Sequence, residues 1–420
     1  MHKIDVDGGT KTLAEIKDLK ELAYGGLMAT GPSYAGIASD KGIRIRSIKG
    51  RSVQNLGGGV TPSPDNPVAI KGVDIRSIVS TGKNEIKLCA LTPLEYNGIS
   101  FQPVYENGEL KCVKVNGTST GQATYSLEAT SQSLKGEYVV SGCPEGGGAG
   151  SYSLCIGLYS KETGAWVSES YQTGPDLAID CTPRKTSISI LVRKGITCNN
   201  LLFYPMMRRK GTSGEYEPPK QNEIKKGLTL WSLPDGTCDE YKDGKVIRRV
   251  GIKVLNGSEA WQKQTDNNAV RYYTPCHDME KARNYTEVMM CTALPVSSAA
   301  GTAIQDFSVS GYADYYDTYP DENWIYIMKS ERFESANELK LWLTNHPITV
   351  LYKLAAPTIE DVSIPILPSY HPYTTAYTDS PVDPEIEWEI LTSSNNDVAV
   401  ADLIARVAAL ESEAVNNAQN

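Results

Sequence analysis

Between residues 84 and 207 the chain is a succession of short apolar runs in which every second position tends to be polar, and none keeps a 3.6-residue period. The runs "GISFQPVY", "ELKCVKV", "YSLCIGLYS", "SISILVRKG" and "NLLFYPMM" are broken by turn signals. Examples are Tyr96-Asn97-Gly98, Glu106-Asn107-Gly108 and Glu162-Thr163-Gly164. Many short strands at near-regular spacing, without helices between them, predict an antiparallel β-sandwich over 81–207. The polar, Gly/Pro-rich stretch "RRKGTSGEYEPPKQNEIKKG" then predicts a linker over 208–226. Further strand-like runs ("LTLWSL", "KVIRRVGIKVL", "WIYIMKS", "ITVLYKLA", "EIEWEIL") predict a second β-rich domain over 227–390. It holds one helix at 335–346, with Ser335 as N-cap, Leu339, Trp342 and Leu343 as its apolar stripe and Pro347 as its stop.

The two ends read differently. Thr12-Leu13-Ala14-Glu15 fits a capping box and Leu13, Ile16, Leu19, Leu22 and Ala23 supply an apolar face, so 1–30 is expected to hold an N-terminal helix that stops at Gly25-Gly26. Residues 31–80 read as a β connector. "GIRIRSIKG" alternates Ile and Arg as a strand with one exposed face, "VTPSPDNPVAIKGV" reads as a stiff extended strut that leads into a second strand, and those two strands are expected to pair. At 391–420, Val400, Leu403, Val407, Leu410 and Ala414 recur at heptad spacing and predict a short coiled coil, the alternative being a surface helix packed on its own domain. The fold class expected is mainly β: two antiparallel β-sandwich-like modules, the second with one helix, flanked by an N-terminal helix and a C-terminal coiled coil.

A formal net charge of −9 and a pI near 5.2 oppose binding to nucleic acid, which needs basic stripes to displace counterions. No run of 18 apolar residues is present and the N-terminus lacks an apolar signal core, so the expectation is synthesis in a cytoplasm and no membrane partner. Nine cysteines without a CxxC pair lie mostly in strand-like runs and read as reduced core residues. With 24 Tyr and 6 Trp against 4 Phe, the rings are mainly of the kind that can stand half-exposed and bind something polar.

Candidate chemistry is sparse. Asp235, Asp239 and Asp243 lack the alternate-position acids and the twelfth-position Glu of a calcium loop, and Pro234-Asp235-Gly236 and Lys242-Asp243-Gly244 read as two tight turns. Cys276-His277-Asp278 are sequence neighbours whose side chains diverge on an extended chain. No GxSxG, P-loop or HExxH occurs, and no catalytic residue, metal or cofactor is expected. Two places offer rings for sugar stacking. One is Trp166, just past a turn. The other is the stretch "GYADYYDTYPDENW", where Tyr312, Tyr315 and Tyr316 surround Asp314 and Asp317, although tyrosines at alternate positions also pack a sheet.

The blocks "GRSVQN…VTPSPDNPVAI", "NGISFQPVYENGELKCVKVNGTST", "NLLFYPMMRRKGTSGEYEPP", "LTLWSLPDGTCDEYKDGKVIRRVGIKVLNGSEAW" and "NELKLWLTNHPITVLYKLAAPT" resemble, in order, recurring blocks of the tail-tip or tail-fibre (minor structural) proteins of tailed phages and prophages of Gram-positive bacteria. The resemblance implies a non-enzymatic virion component that meets other tail proteins and, through a carbohydrate-binding-like jelly-roll sandwich, a host-surface glycan. It also implies a homotrimer, whereas β-branched a positions with Leu at d favour a dimer by the local rule. A cell-wall or capsular glycan depolymerase is the alternative, because 50 acidic residues guarantee chance carboxylate pairs.

Overall fold

The computed structural model describes residues 3–6, 9–12, 27–39, 41–54, 62–87, 91–127, 136–160, 164–181, 184–266, 269–280, 287–297, 308–313, 323–328 and 332–391. The fold is mainly β, built of curled antiparallel sheets, with one α-helix among the described residues. Ile43–Lys49 shows why the strands form. Ile43 and Ile45 are buried while Arg44 and Arg46 are exposed, the period of two that a sheet with one wet face requires, and a register shift between Ser47 and Ile45 opposite Glu387 and Trp388 lets Ile48 join the buried side.

That strand lies inside a seven-stranded sheet whose order is Met289–Cys291, Ile348–Asp361, Lys245–Leu255, Glu240–Lys242, Ile43–Lys49, Glu385–Ile390, Leu27–Gly31. A second sheet, in the order Gln221–Leu230, Ile70–Thr81, Tyr373–Thr378, Ser33–Ile37, faces it. Ile43, Ile45, Ile48 and Trp388 of the first sheet pack on Val73, Ile75, Ile78 and Leu230 of the second. The strands at 43–49 and 70–81, expected to pair, therefore lie in opposite layers. Residues 31–80 are part of this base sandwich rather than a connector outside it.

Two further units enter the base between strands that pair with each other. Thr81 is opposite Gln221, and the chain between them forms the inserted sandwich; Leu255 is opposite Ile348, and the chain between them carries the second insertion. The facing ends of an antiparallel pair are about 5 Å apart, so a unit whose own ends meet can stand where a hairpin turn would. This nesting is why contiguous boundaries at 81–207 and 227–390 do not describe the sheets.

In the inserted sandwich one layer has the order Ala123–Ser126, Arg184–Val192, Tyr152–Ser160, Trp166–Gln172. Opposite it are the sheet Thr197–Phe203, Glu109–Thr118, Ile99–Glu106, Leu94–Tyr96 and the three strands Leu177–Asp180, Glu137–Ser141, Met206–Arg209. Phe101 stacks on Tyr125 at 5.1 Å within a core that includes Val113, Tyr138, Leu154, Ile156, Ile188 and Phe203. The second insertion packs a four-stranded sheet and the helix α1, Ala336–Asn345, around Tyr272, Phe333, Leu339 and Leu343. The helix is where the sequence put it. Ser335 accepts from the Glu338 amide at 3.3 Å, and Leu339 and Leu343 are its buried residues.

Several local expectations are corrected. Thr12 is the last residue of a strand, Gly9–Thr12, that pairs with Lys3–Val6, and Leu27–Gly31 is a strand as well, so a helix does not occupy 1–30 as a whole. The β-branched Ile4, Val6, Thr10 and Thr12, with Asp7-Gly8 between the two strands, favour a hairpin. The apolar face from Leu13 to Ala23 lies outside the described residues, as do the heptad positions Val400, Leu403, Val407, Leu410 and Ala414. The proline strut is a tight turn: the Ser63 amide donates to the Asn66 carbonyl at 3.3 Å and the Asn66 amide to the Ser63 carbonyl at 3.0 Å, with Pro64 preset for the first corner.

The linker expected at 208–226 is also structure. Arg208 and Arg209 close the strand Met206–Arg209, the nearly buried Arg208 binds Asp176 at 2.5 Å, and Gln221 opens the next strand. Between them the crossing is pinned by residues 82–87. Lys83 Nζ donates to the Glu215 carbonyl at 2.6 Å and meets Glu217 at 2.8 Å. Asn84, fully buried, donates to the carbonyls of Pro205 (3.0 Å) and Glu217 (2.9 Å) and accepts from the amides of Ile86 and Met207. Glu85, 1% exposed, accepts from the Thr375 hydroxyl and faces Arg209 at 3.6 Å.

Burial pushes the Glu85 carboxyl above its ordinary range, against the pull of Arg209 and the Thr375 hydroxyl. As pH rises past about 4.3 the unfolded chain releases this proton while the folded one keeps it, so Glu85 makes stability fall with rising pH until its raised folded pKa is passed. Glu85→Gln is expected to flatten that decline and to leave the protein relatively more stable at neutral pH. Urea midpoints of both proteins between pH 4.5 and 8 check this, and parallel curves would refute it.

Candidate ligand-binding face

The strands Tyr152–Ser160, Trp166–Gln172 and Arg184–Val192 bury Leu154, Ile156, Leu158, Ile188 and Ile190 inside the inserted sandwich. Their alternate positions point outward in rows fixed by the register. Tyr159 is opposite Trp166 on one side and Lys185 on the other; Gly157 is opposite Glu169 and Ser187; Cys155 is opposite Tyr171 and Ser189. Directly opposed residues share a face, and a register shift between Leu158 and Tyr159 brings Trp166, which is out of step with Glu169 and Tyr171, opposite Tyr159, so that three rings stand on one surface. Trp166 is 61% exposed, and Tyr159 and Tyr171 are half-buried.

Gly157 decides how one ring lies. A Cβ there would be 3.1 Å from Tyr159 Cε2, 3.3 Å from its hydroxyl and 2.7 Å from Ser187 Oγ. The Tyr159 ring therefore leans along the sheet over the space that the missing side chain leaves. Below it, the Tyr171 hydroxyl donates to Glu169 and accepts from Arg193 at 3.0 Å, and the Arg193 guanidinium sits 5.3 Å from the Tyr171 ring centre. Its bond to Glu169, with burial, raises the Tyr171 phenol pKa. Burial and the Glu169 carboxylate together push the Cys155 thiol up to about 11, so this cysteine is inert at neutral pH.

No known protein family matches the chain, and no curated protein does. Among solved structures, the crystal structure of the infectious bursal disease virus VP2 subviral particle is similar over 88% of this chain and 81% of that one, at 8% identity and a TM-score of 0.10. A likeness that slight carries no argument about fold or function. The site rests on its own geometry.

Of the ring residues singled out in the sequence, Trp166 is on this face. Tyr312 lies in the strand Ser308–Ala313 opposite Trp324, in the four-stranded sheet of the second insertion, so no sheet joins the two. The Tyr312 side chain and the whole of Asp314, Tyr315, Tyr316 and Asp317 lie outside the described residues. Tyr159 and Tyr171 were missed. Their signal was the alternation in "YSLCIGLYS" and "WVSESYQ", which puts each opposite its strand's buried residues, but the register that aligns the strands is not written in either run.

The remaining candidates have structural work. Cys276 is buried and bonded to Asp278 at 3.5 Å, its thiol pushed up to about 12 chiefly by burial, while both Asp278 oxygens accept from the Tyr352 hydroxyl and His277 is exposed. Asp235 organises a turn by accepting from the Thr237 amide at 2.8 Å, Asp243 occupies a left-handed turn position with φ 45°, and Asp239 is buried among backbone amides. Among the described residues no three His, Cys, Asp or Glu side chains form a metal-holding group. The eight described cysteines are free, and six of them are buried. Two open clefts flank the turn at Gly236–Cys238. Ion pairs of Lys49 with Glu385 (3.3 Å) and Lys353 with Glu280 (2.8 Å) already use charges that line them.

Proposed function

We propose that the chain is a non-enzymatic structural protein of a phage tail, at the tail tip or in a fibre, whose inserted sandwich contacts a host-surface glycan. The observation that carries the glycan contact is the outward row of Trp166 and Tyr159 with Tyr171 beside it, next to Glu169 and Lys185. Flat rings match the C–H faces of pyranoses, and carboxylate, hydroxyl and ammonium groups match their hydroxyls. The tail assignment rests on the ordered sequence blocks. In this reading the inserted unit is a carbohydrate-binding-like jelly roll, and the protein sits in the virion after synthesis in the host cytoplasm.

Pull-down on purified host cell walls tests the contact. By analogy with base–ring stacking, Trp166→Ala is expected to remove about 1–3 kcal/mol of binding, roughly a tenfold loss or more, with the fold intact because the indole is exposed. Unchanged retention of the folded variant would end the claim. Gly157→Ala should act in the same direction from beneath, by lifting the Tyr159 ring off the sheet. Release of reducing ends from the same walls, abolished by a single carboxylate substitution, would show a depolymerase instead.

The assembly proposed is a homotrimer, with the heptads at Val400, Leu403, Val407, Leu410 and Ala414 setting register and the β-units supplying most of the interface, since so short a helix is marginal in water alone. Light scattering on the full chain and on one ending at Ile390 checks both parts. A monomeric full chain removes the oligomer, a dimer replaces the trimer, and an unchanged oligomer after truncation removes the role of the heptads.

A further inference from the structure

The first row of the face pairs two rings with a cation. Trp166, Tyr159 and Lys185 are successive cross-strand neighbours. With strands about 4.8 Å apart, the Lys185 α-carbon is about 10 Å from that of Trp166, and the Tyr159 residue between them leans its ring along its own strand over Gly157. The Lys185 side chain is half-buried, and among the described residues it has no hydrogen bond or ion pair.

A second cation near the face, Arg193, is already engaged. Arg193 donates through Nε to the Ala149 carbonyl (3.0 Å), through Nη1 to Gln122 Oε1 (2.6 Å) and through Nη2 to the Tyr171 hydroxyl (3.0 Å). The one carboxylate in these rows, Glu169, lies one row away and accepts from Tyr171 and, at 3.8 Å, from Cys155 Sγ. The face thus has a polarity: two rings and a lysine without an ion pair among the described residues along one row, a carboxylate suited to sugar hydroxyls along the next. A formal charge of −9 means that no general field draws an anion here, so anion recognition must come from a local cation.

We propose, building on the glycan-contact reading, that the face is selective for an acidic polysaccharide whose pyranose rings carry carboxylates, a polyuronate. One sugar stacks on Trp166 and Tyr159, and the carboxylate on the same or the next ring pairs with Lys185. An acyclic polyol phosphate could satisfy the ammonium but offers no flat ring face to the two aromatics. A neutral glycan uses the rings but leaves the ammonium without a partner. Charge-assisted hydrogen bonds are about twice as strong as neutral ones, which makes Lys185 the specificity-determining residue of the row.

Calorimetry on the full chain tests this with oligomers of galacturonate, glucuronate and mannuronate, the same oligomers after reduction of their carboxyls to alcohols, and poly(glycerol phosphate). At least one oligouronate is expected to bind about tenfold more tightly than its reduced form, as an ion-paired hydrogen bond implies. Lys185→Gln should erase that difference and Lys185→Arg should keep most of it, while Trp166→Ala weakens both forms. Equal, Trp166-dependent binding of acidic and reduced oligomers would overturn the polyuronate assignment and leave the glycan contact standing. Lys185-dependent binding of poly(glycerol phosphate) at least as tight as that of any uronate would also overturn it. Failure of every oligomer while whole walls are retained through Trp166 defeats this proposal alone; failure on the walls as well defeats the parent reading.

Discussion

Asn84→Ala is expected to cost about 3 kcal/mol or more and to loosen the return crossing of the inserted sandwich, because it strands four backbone groups at once in a dry place. The carbonyls of Pro205 and Glu217 lose their donor, and the amides of Ile86 and Met207 lose their acceptor. Each buried polar group left without a partner costs about 1–3 kcal/mol, and water entering the vacated space recovers only part of it. The damage is local to a junction: Asn84 holds the outgoing chain at 84–86 to the returning chain at 205–217. Limited proteolysis should therefore show new cleavage in the 210–220 stretch at denaturant concentrations where the parent protein resists, alongside a lowered urea midpoint. A variant with the parent's cleavage pattern and midpoint would mean that the junction is held by Lys83 and the Glu85 amide, which donates to the Met207 carbonyl at 2.8 Å.

Asp239→Ala should be as costly, again about 3 kcal/mol or more against a total stability of about 5–15 kcal/mol for a domain. Asp239 is 1% exposed. One oxygen accepts from the amides of Arg249 (2.8 Å) and Val250 (3.0 Å), the other from the Trp231 amide (3.2 Å) and the Arg248 guanidinium (3.4 Å). The register of Lys245–Leu255 against Ile348–Asp361 shifts between Arg248 and Val250, and the carboxylate supplies the acceptor that the disrupted ladder lacks. Arg248 is partly exposed, so most of the expected loss comes from the orphaned amides rather than from the ion pair. Asp239→Asn should fall between the two, since it keeps one acceptor oxygen and turns an NH2 toward existing donors. Equilibrium urea unfolding ranks the three proteins, and an alanine variant as stable as the parent would show that water satisfies those amides.

Both residues show where a reading of the chain stops. Asn84 sits in an unremarkable "GKNEIK", and Asp239 stands between two acids read as turn residues; the turns at Asp235 and Asp243 are there, and the acid between them, to which the sequence assigned no role, is a buried cap. Partners 121 and 133 residues away, or across a bulge, leave no local trace.

What the sequence determined by itself was whatever depends on neighbours a few residues apart. The period of two in Ile43–Lys49 and in the runs of the inserted sandwich made strands, Ser335 and the Leu339–Leu343 spacing made the one described helix, and burial of thiols in strand runs left the described cysteines free. An exposed Trp166 was also legible, since it follows a turn. Where local signals competed, as at Thr12 and in the Pro62–Pro67 stretch, pairing with a second segment chose the outcome, because a capping box or a stiff proline run is worth only about a kcal/mol beside a formed ladder. Only the tertiary structure decided which strands are neighbours. It placed Ile70–Thr81 beside Gln221–Leu230 and Lys245–Leu255 beside Ile348–Asp361, and so turned a row of apparent domains into one base sandwich with two insertions. It also set the register that brings Trp166, Tyr159 and Lys185 into one row. Strand pairing is chosen by how well whole faces fill a common core, and loop closure adds only about 0.6 kcal/mol for each doubling of loop length, so sequence distance neither forbids nor announces a pairing.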